Sequence, residues 1–84
     1  MYVEFLGIPR ERAGISELEI EAGTLGELLD ALASRFPAFG ELLTPDGLHP
    51  SLAANLNGDD FVSDPRTRLS HDDHILLLSA DVGG

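Results

Sequence analysis

The chain contains no cysteine, no lysine and no tryptophan. Without cysteine it forms no disulfide, offers no thiolate to a metal and carries no thiol nucleophile. Without lysine, its only primary amine is that of Met1. Basic groups are scarce altogether: five arginines stand against fifteen aspartates and glutamates, for a formal net charge of −10. Phosphate backbones and anionic membrane surfaces repel such a chain, so nucleic acid and membrane are not expected as partners. A protein with a basic face is the natural associate. No run of about eighteen apolar residues is present to span a bilayer. The opening M-Y-V-E-F-L-G-I-P-R has an acid where a leader would be basic, which points to a cytosolic protein.

What remains, 84 residues with 43% hydrophobic content, is enough for one domain with a modest core. Y-V-E-F-L-G-I alternates as a strand, with Val3, Phe5 and Ile8 inward and Glu4 outward. P-R-E-R-A-G then reads as a loop, with Arg10 and Arg12 in solvent. I-S-E-L-E-I-E alternates again, Leu18 and Ile20 against a solvated row of Glu17, Glu19 and Glu21. Two strands around a short loop predict a hairpin. Thr24 followed by Glu27 is a capping box. Leu25, Leu28, Leu29, Leu32, Ala33 and Phe36 lie on one helical stripe that Pro37 stops. A further short helical turn can follow Pro37. T-P-D-G is a turn, and Leu52, Ala54 and Leu56 mark a strand that ends in the hairpin signal Asn57-Gly58. Phe61 and Val62 form the return strand, with Phe61 expected in the core. Leu69 anchors a turn-rich stretch, and H-I-L-L-L-S predicts a central strand covered on its faces. The order β-β-α-β-β-β, with one long helix across a mixed sheet, is an α+β domain.

Three motifs invite functional readings. His71-Asp72-Asp73-His74 offers metal-ligand chemistry, but it sits where the chain must turn into the last strand, and Asp pairs favour turns. His49 and Ser51, with plentiful Asp, lack a strained nucleophile turn and an oxyanion donor. Gly23-Thr24-Leu25-Gly26 precedes a helix but lacks the glycine spacing and lysine of a phosphate cradle. No metal site follows from these.

The last residues read S-A-D-V-G-G. Two glycines are costly to order, and the bland reading is a fraying end. The sharper one is that the Gly84 carboxylate is the working group. Asp81, Val82 and Gly83 would then thread it into a partner's active site, where residues without bulk pass a narrow channel and are held by main-chain hydrogen bonds. A carboxylate is a poor electrophile. Adenylation makes it a mixed anhydride that a sulfur nucleophile attacks, leaving a thiocarboxylate. Such a carrier needs no cysteine, and a lysine-free chain cannot acylate itself internally; a compositional preference for arginine explains the missing lysine equally well. A domain over residues 1–79 with a flexible tail over 80–84 is expected, together with an apolar docking patch near the last strand.

The chain resembles the MoaD/ThiS family of ubiquitin-like sulfur carriers over nearly its whole length. The likeness rests on F-L-G-I-P-R-E-R-A-G (5–14), T-L-G-E-L-L-D-A-L-A-S-R-F-P (24–37), N-L-N-G (55–58), L-S-H-D-D-H-I-L-L-L (69–78) and the terminal G-G, in that order and spacing. The resemblance implies a ubiquitin-like β-grasp fold and a protein cosubstrate rather than an enzyme. It implies that Gly84 is adenylated by a MoeB/ThiF-type enzyme, with ATP and magnesium used by that enzyme and no cofactor bound stably here. A sulfurtransferase or persulfide then supplies sulfur, which passes to an acceptor synthase. The early segment and the length look most like the molybdopterin branch, in which the chain would be the small subunit beside a molybdopterin synthase large subunit. Asp81 departs from that branch, where a proline-rich apolar segment usually leads into the tail. Sulfur delivery to thiamine, cysteine or tRNA is the alternative within the family. Outside it stand an inert ubiquitin-like interaction domain, a lysine-conjugated modifier and a small His71/His74 metal protein.

Overall fold

The structure is a computed structural model that describes residues 1–80; the four residues from Asp81 to Gly84 lie outside it. The chain runs β1 (Tyr2–Phe5), α1 (Ile8–Ala13), β2 (Glu17–Glu19), α2 (Leu25–Arg35) and α3 (Pro37–Gly40), then β3 (Leu43–Thr44), β4 (Gly47–Leu48), β5 (Leu52–Leu56), β6 (Asp60–Val62) and β7 (His74–Ser79). Five strands form one sheet in the order β2-β1-β7-β5-β6, and β3 and β4 make a separate two-stranded hairpin. β1 and β7 are parallel, while every other pairing in the sheet is antiparallel. This is the expected mixed sheet with a long helix packed over one face. No helix among the described residues is long and apolar enough to cross a membrane.

The core follows from the period of two along each strand. Val3 and Phe5 of β1, Leu52 and Ala54 of β5, and Ile75 and Leu77 of β7 are buried beneath Leu25, Leu28, Leu29 and Leu32 of α2. Burying each such leucine contributes about 2 kcal/mol against the entropy of ordering it. Phe39 of α3 closes one side, its ring edge-on to Phe5 at 6.1 Å.

Helix α2 starts where the capping signal places it. Thr24 Oγ1 accepts from the Glu27 N–H at 3.2 Å. The Glu27 carboxylate reaches back one residue further than in the usual capping box and accepts from the Gly23 N–H at 2.9 Å. The two remaining first-turn donors, Leu25 N–H and Gly26 N–H, find the carbonyls of Thr67 and Pro65 at 2.9 and 2.8 Å. These bonds, with buried Leu69, seat the turn-rich stretch against the start of α2.

Several expectations are corrected. The segment read as a loop between β1 and β2 is the six-residue helix α1. Pro9 lies in its first turn, where a missing N–H costs nothing, and Gly14 at φ 77° caps its end in the left-handed conformation. Ile8, expected inward on a strand, opens that helix and is exposed, while Pro9 and Ala13, one helical turn apart, are buried. Arg12 is not a free loop residue: its Nη1 pairs with Glu41 of the α3 end at 2.7 Å. Phe61, expected in the core, is 72% exposed. Its neighbour across β5 is Asn55, on the face of the sheet that no helix covers.

Candidate functional site

The residues to which the sequence assigns the chemistry, Asp81, Val82, Gly83 and Gly84, lie outside the described residues. The structure does define the root from which they depart. β7 is the central strand, paired with β1 as far as Leu77 and with β5 as far as Ser79. Ser79, its last residue, is buried, and its hydroxyl oxygen accepts from the Ile8 N–H at 3.2 Å. One residue on, the Ala80 N–H donates to the Ser51 carbonyl at 2.7 Å. From the other side the Leu6 N–H donates to the Leu77 carbonyl at 2.9 Å. Gly7 sits between Leu6 and Ile8 at φ +65°, and a Cβ there would lie 2.7 Å from Ser79 Oγ. Both backbone and space therefore require glycine. The F-L-G-I-P-R-E-R-A-G segment thus forms a clamp on the root of the tail.

The uncovered face of the sheet carries Glu17 and Glu19 of β2, Tyr2 and Glu4 of β1, His74, Leu76 and Leu78 of β7, Ala53 and Asn55 of β5, and Phe61 of β6, as the register dictates. It is divided lengthwise. On the β2–β1 side the Tyr2 hydroxyl donates to the Glu17 carboxylate. That bond, then burial and the charges of Glu17, Glu4 and Glu19, push the Tyr2 pKa up to about 12. The Tyr2 ring meets the His74 ring edge-on at 4.7 Å, and His74 Nε2 lies 3.1 Å from Glu4 Oε1. On the β7–β5–β6 side the face is mostly apolar, with half-buried Leu76 and Leu78 on β7, exposed Phe61 on β6 and Asn55 between Leu76 and Phe61. Leu6 and Ile8, on either side of Gly7, are also exposed, at 41% and 38%. The β7–β5–β6 side is where the apolar patch expected near the last strand lies. The two outward leucines also correct the expectation that β7 is covered on both faces: its burial alternates along its length.

The structure separates the two histidines of His71-Asp72-Asp73-His74. His71 Nδ1 lies 3.2 Å from Glu21, whose other oxygen holds the Met1 amine at 2.7 Å. Those bonds, the amine first and His71 second, hold the Glu21 carboxyl below its usual range. His74 turns to Glu4 instead. Asp73 serves the turn: its carboxylate accepts from the Asn57 side-chain amide at 3.0 Å and from the Ser70 N–H, which lower its pKa. Asn57 in turn accepts from the His74 N–H at 2.8 Å, so the Asn57-Gly58 hairpin is stitched to the start of β7. His49 and Ser51 do meet, with Nδ1 to Oγ at 2.9 Å, but the same nitrogen accepts the Ser51 N–H at 3.1 Å. This is the local bonding of a turn. Gly23-Thr24-Leu25-Gly26 is a helix cap in which the N–H groups of Gly23, Leu25 and Gly26 are already engaged. Sequence reasoning gives no part to Gly7 or Ser79. The available signal is a polar residue at a core-facing position of β7, and a glycine just before a proline-started helix.

A model of the ThiS family matches residues 3–84. No curated protein matches the chain. Among solved structures, SAMP1 from Haloferax volcanii superposes with a TM-score of 0.81 at 24% identity, over 100% of this chain and 98% of that one. The Amycolatopsis orientalis BexX/CysO complex contains a chain that matches with a TM-score of 0.81 at 24% identity, over 99% and 98%. A Pyrococcus furiosus protein described as molybdopterin converting factor, subunit 1, matches with a TM-score of 0.76 at 20% identity, over 93% of each chain. At these identities the likeness to solved structures establishes the fold, a ubiquitin-like β-grasp.

Proposed function

The chain belongs to the ThiS family, and from that membership we propose that it is a sulfur carrier whose reactive group is the carboxylate of Gly84. A MoeB/ThiF-type enzyme transfers AMP from ATP to this carboxylate and releases pyrophosphate, with the nucleotide and magnesium held by that enzyme. Attack by a sulfur donor releases AMP. A sulfide-level donor leaves the thiocarboxylate directly. A persulfide leaves an acyl disulfide, which a second thiol cleaves to the thiocarboxylate. Asp81, Val82 and Gly83 thread the active sites involved. The chain itself supplies position rather than acid, base or nucleophile, and acts as a protein cosubstrate.

The observation that carries this reading is the match of the ThiS family model to residues 3–84; the root of the tail agrees with it. The central strand ends in a buried serine bonded to α1, and Ala80 is tied to Ser51. Whatever follows departs from a fixed point beside an apolar face. We assign the acceptor to the molybdopterin synthase type, because the 5–14 segment that carries this branch's likeness is also the clamp at that point. The P. furiosus neighbour, described as a molybdopterin converting factor subunit, supports the assignment at the level of the fold. Delivery to thiamine, cysteine or tRNA biosynthesis uses the same loading chemistry with a different acceptor.

Intact mass spectrometry of the protein after incubation with ATP, a MoeB/ThiF-type enzyme and a sulfur donor tests the reading. The expected result is a mass gain of one sulfur-for-oxygen exchange that maps to Gly84. No gain with any such enzyme overturns it. A second reading, a modifier joined to lysines of other proteins, draws support from the neighbour described as small archaeal modifier protein 1. Amide adducts of Gly84 to lysine in extracts, in place of the thiocarboxylate, would favour it.

A further inference from the structure

The sequence holds two side-chain amides, Asn55 and Asn57, and no glutamine. Asn55 precedes leucine inside β5, where it is paired on both sides. Asn57 precedes Gly58 in the turn between β5 and β6, and both are exposed. Their φ angles are 57° and 75°, the positive values that make Asn-Gly a favoured hairpin turn. A Cβ at Gly58 would meet nothing within 4 Å, so nothing crowds this corner of the molecule. An asparagine followed by an unhindered glycine is chemically labile. The Gly58 nitrogen attacks Cγ of Asn57, the new C–N bond closes a succinimide ring, and Nδ2 leaves as ammonia. Water then opens the ring to aspartate or to isoaspartate, in which the main chain runs through the former side chain.

Here that side chain is fastened at both polar atoms. Nδ2 donates to Asp73 Oδ1 at 3.0 Å, and Oδ1 accepts from the His74 N–H at 2.8 Å. The main chain is fastened as well, with the Asn57 N–H on the His74 carbonyl at 2.7 Å. Asp73 is itself held by the Ser70 N–H at 2.6 Å. Attack makes Cγ tetrahedral and expels Nδ2, so it works against both side-chain bonds.

We propose that Asn57-Gly58 is a site of non-enzymatic deamidation that the Asp73 and His74 bonds latch shut in the folded chain, and that its opening turns the latch into a repulsion. After deamidation a carboxylate oxygen replaces the donor that stood 3.0 Å from Asp73 Oδ1, so two like charges face each other. Exposed Asp59 and Asp60 follow directly in the chain and add their charge. In isoaspartate the turn is also one methylene longer, against a β5–β6 pairing of only three residue pairs. The damage falls at the start of β7, the opposite end of that strand from Ser79 and the tail root. The inference is independent of the carrier reading.

The test follows the mass gain of amide-to-acid conversion, mapped to the peptide that carries Asn57. Wild type is incubated at mildly alkaline pH in buffer and in concentrated guanidinium chloride, and Asp73→Ala in buffer. Melting curves establish that each chain in buffer is folded at the incubation temperature. Asn57 is expected to deamidate about tenfold more slowly in folded wild type than in denaturant, and severalfold faster in Asp73→Ala than in folded wild type. Equal rates for wild type in buffer and denaturant, or an Asp73→Ala rate no higher than that of folded wild type, would overturn the latch. The product is imitated by Asn57→Asp, which is expected to lower the melting temperature by about 5 °C. In an Asp73→Asn background, where the facing charge is gone, the same substitution is expected to cost less than about half as much. Melting at the wild-type temperature, or an equal loss in both backgrounds, would overturn the repulsion.

Discussion

Along β7, Ile75, Leu77 and Ser79 point into the layer beneath α2, while His74, Leu76 and Leu78 point away from it. The inward set is fully enclosed; the outward set adjoins an acidic strip on one side and exposed Phe61 on the other. Both sets are mostly leucine and isoleucine, so residue type does not separate them. What does is the second layer: α2 covers one face of the sheet, and among the described residues no element covers the other. Apolar residues on the covered face hold the fold. The same residues on the bare face are available to a partner, and they lead to the point where the tail leaves.

The largest expected effect separates the faces outright. Leu77→Ala empties a space under α2 and is expected to cost about 3 kcal/mol of stability in chemical denaturation. Leu78→Ala, on the bare face, is expected to cost less than about 1 kcal/mol while raising the KM of the loading reaction. Equal destabilisation by the two would break the comparison. Next comes the clamp between the faces. Gly7→Ala places a methyl against Ser79 Oγ and forces a positive φ on a residue with a Cβ, for an expected loss of about 2 kcal/mol.

Titration sharpens the comparison further. Asp73, whose pKa is lowered by Asn57 and Ser70, contributes stability that is complete above its ordinary value of 3.8 and is lost as pH falls through the depressed one. Asp73→Asn is expected to flatten the acid limb of melting temperature against pH. Tyr2 behaves oppositely: its pKa is raised, so its contribution is complete below 10.0 and is lost as pH climbs toward about 12. Tyr2→Phe is expected to give the smallest effect, a slightly flatter alkaline limb and little change at neutral pH.

The parts of the fold legible in the sequence are those that carry their own period. The stripe from Leu25 to Leu32 with its Thr24 cap, and the run from His74 to Ser79, declare α2 and β7 without outside help. Helix α1 was hidden because six residues hold too few apolar positions to show a stripe, and because Pro9 reads as a breaker unless the helix is known to begin beside it. The exposure of Phe61 is hidden for a different reason. Alternation tells which residues share a face but not which face is covered, and β6 is too short to show it. The candidate site divides in the same way. The residues of the tail are visible as residue types, whereas the clamp of Gly7, Ser79 and Ser51 joins positions more than seventy apart in the chain for its first pair and exists only in three dimensions.

The most direct test of the central claim compares the full chain with a variant that lacks Gly84, in the presence of ATP, a MoeB/ThiF-type enzyme and a sulfur donor. Intact mass and melting temperature are recorded on the same samples. The account predicts sulfur-for-oxygen exchange on the full chain, none on the variant, and the same melting temperature for both. Exchange that persists without Gly84, or its absence from the full chain, would contradict it.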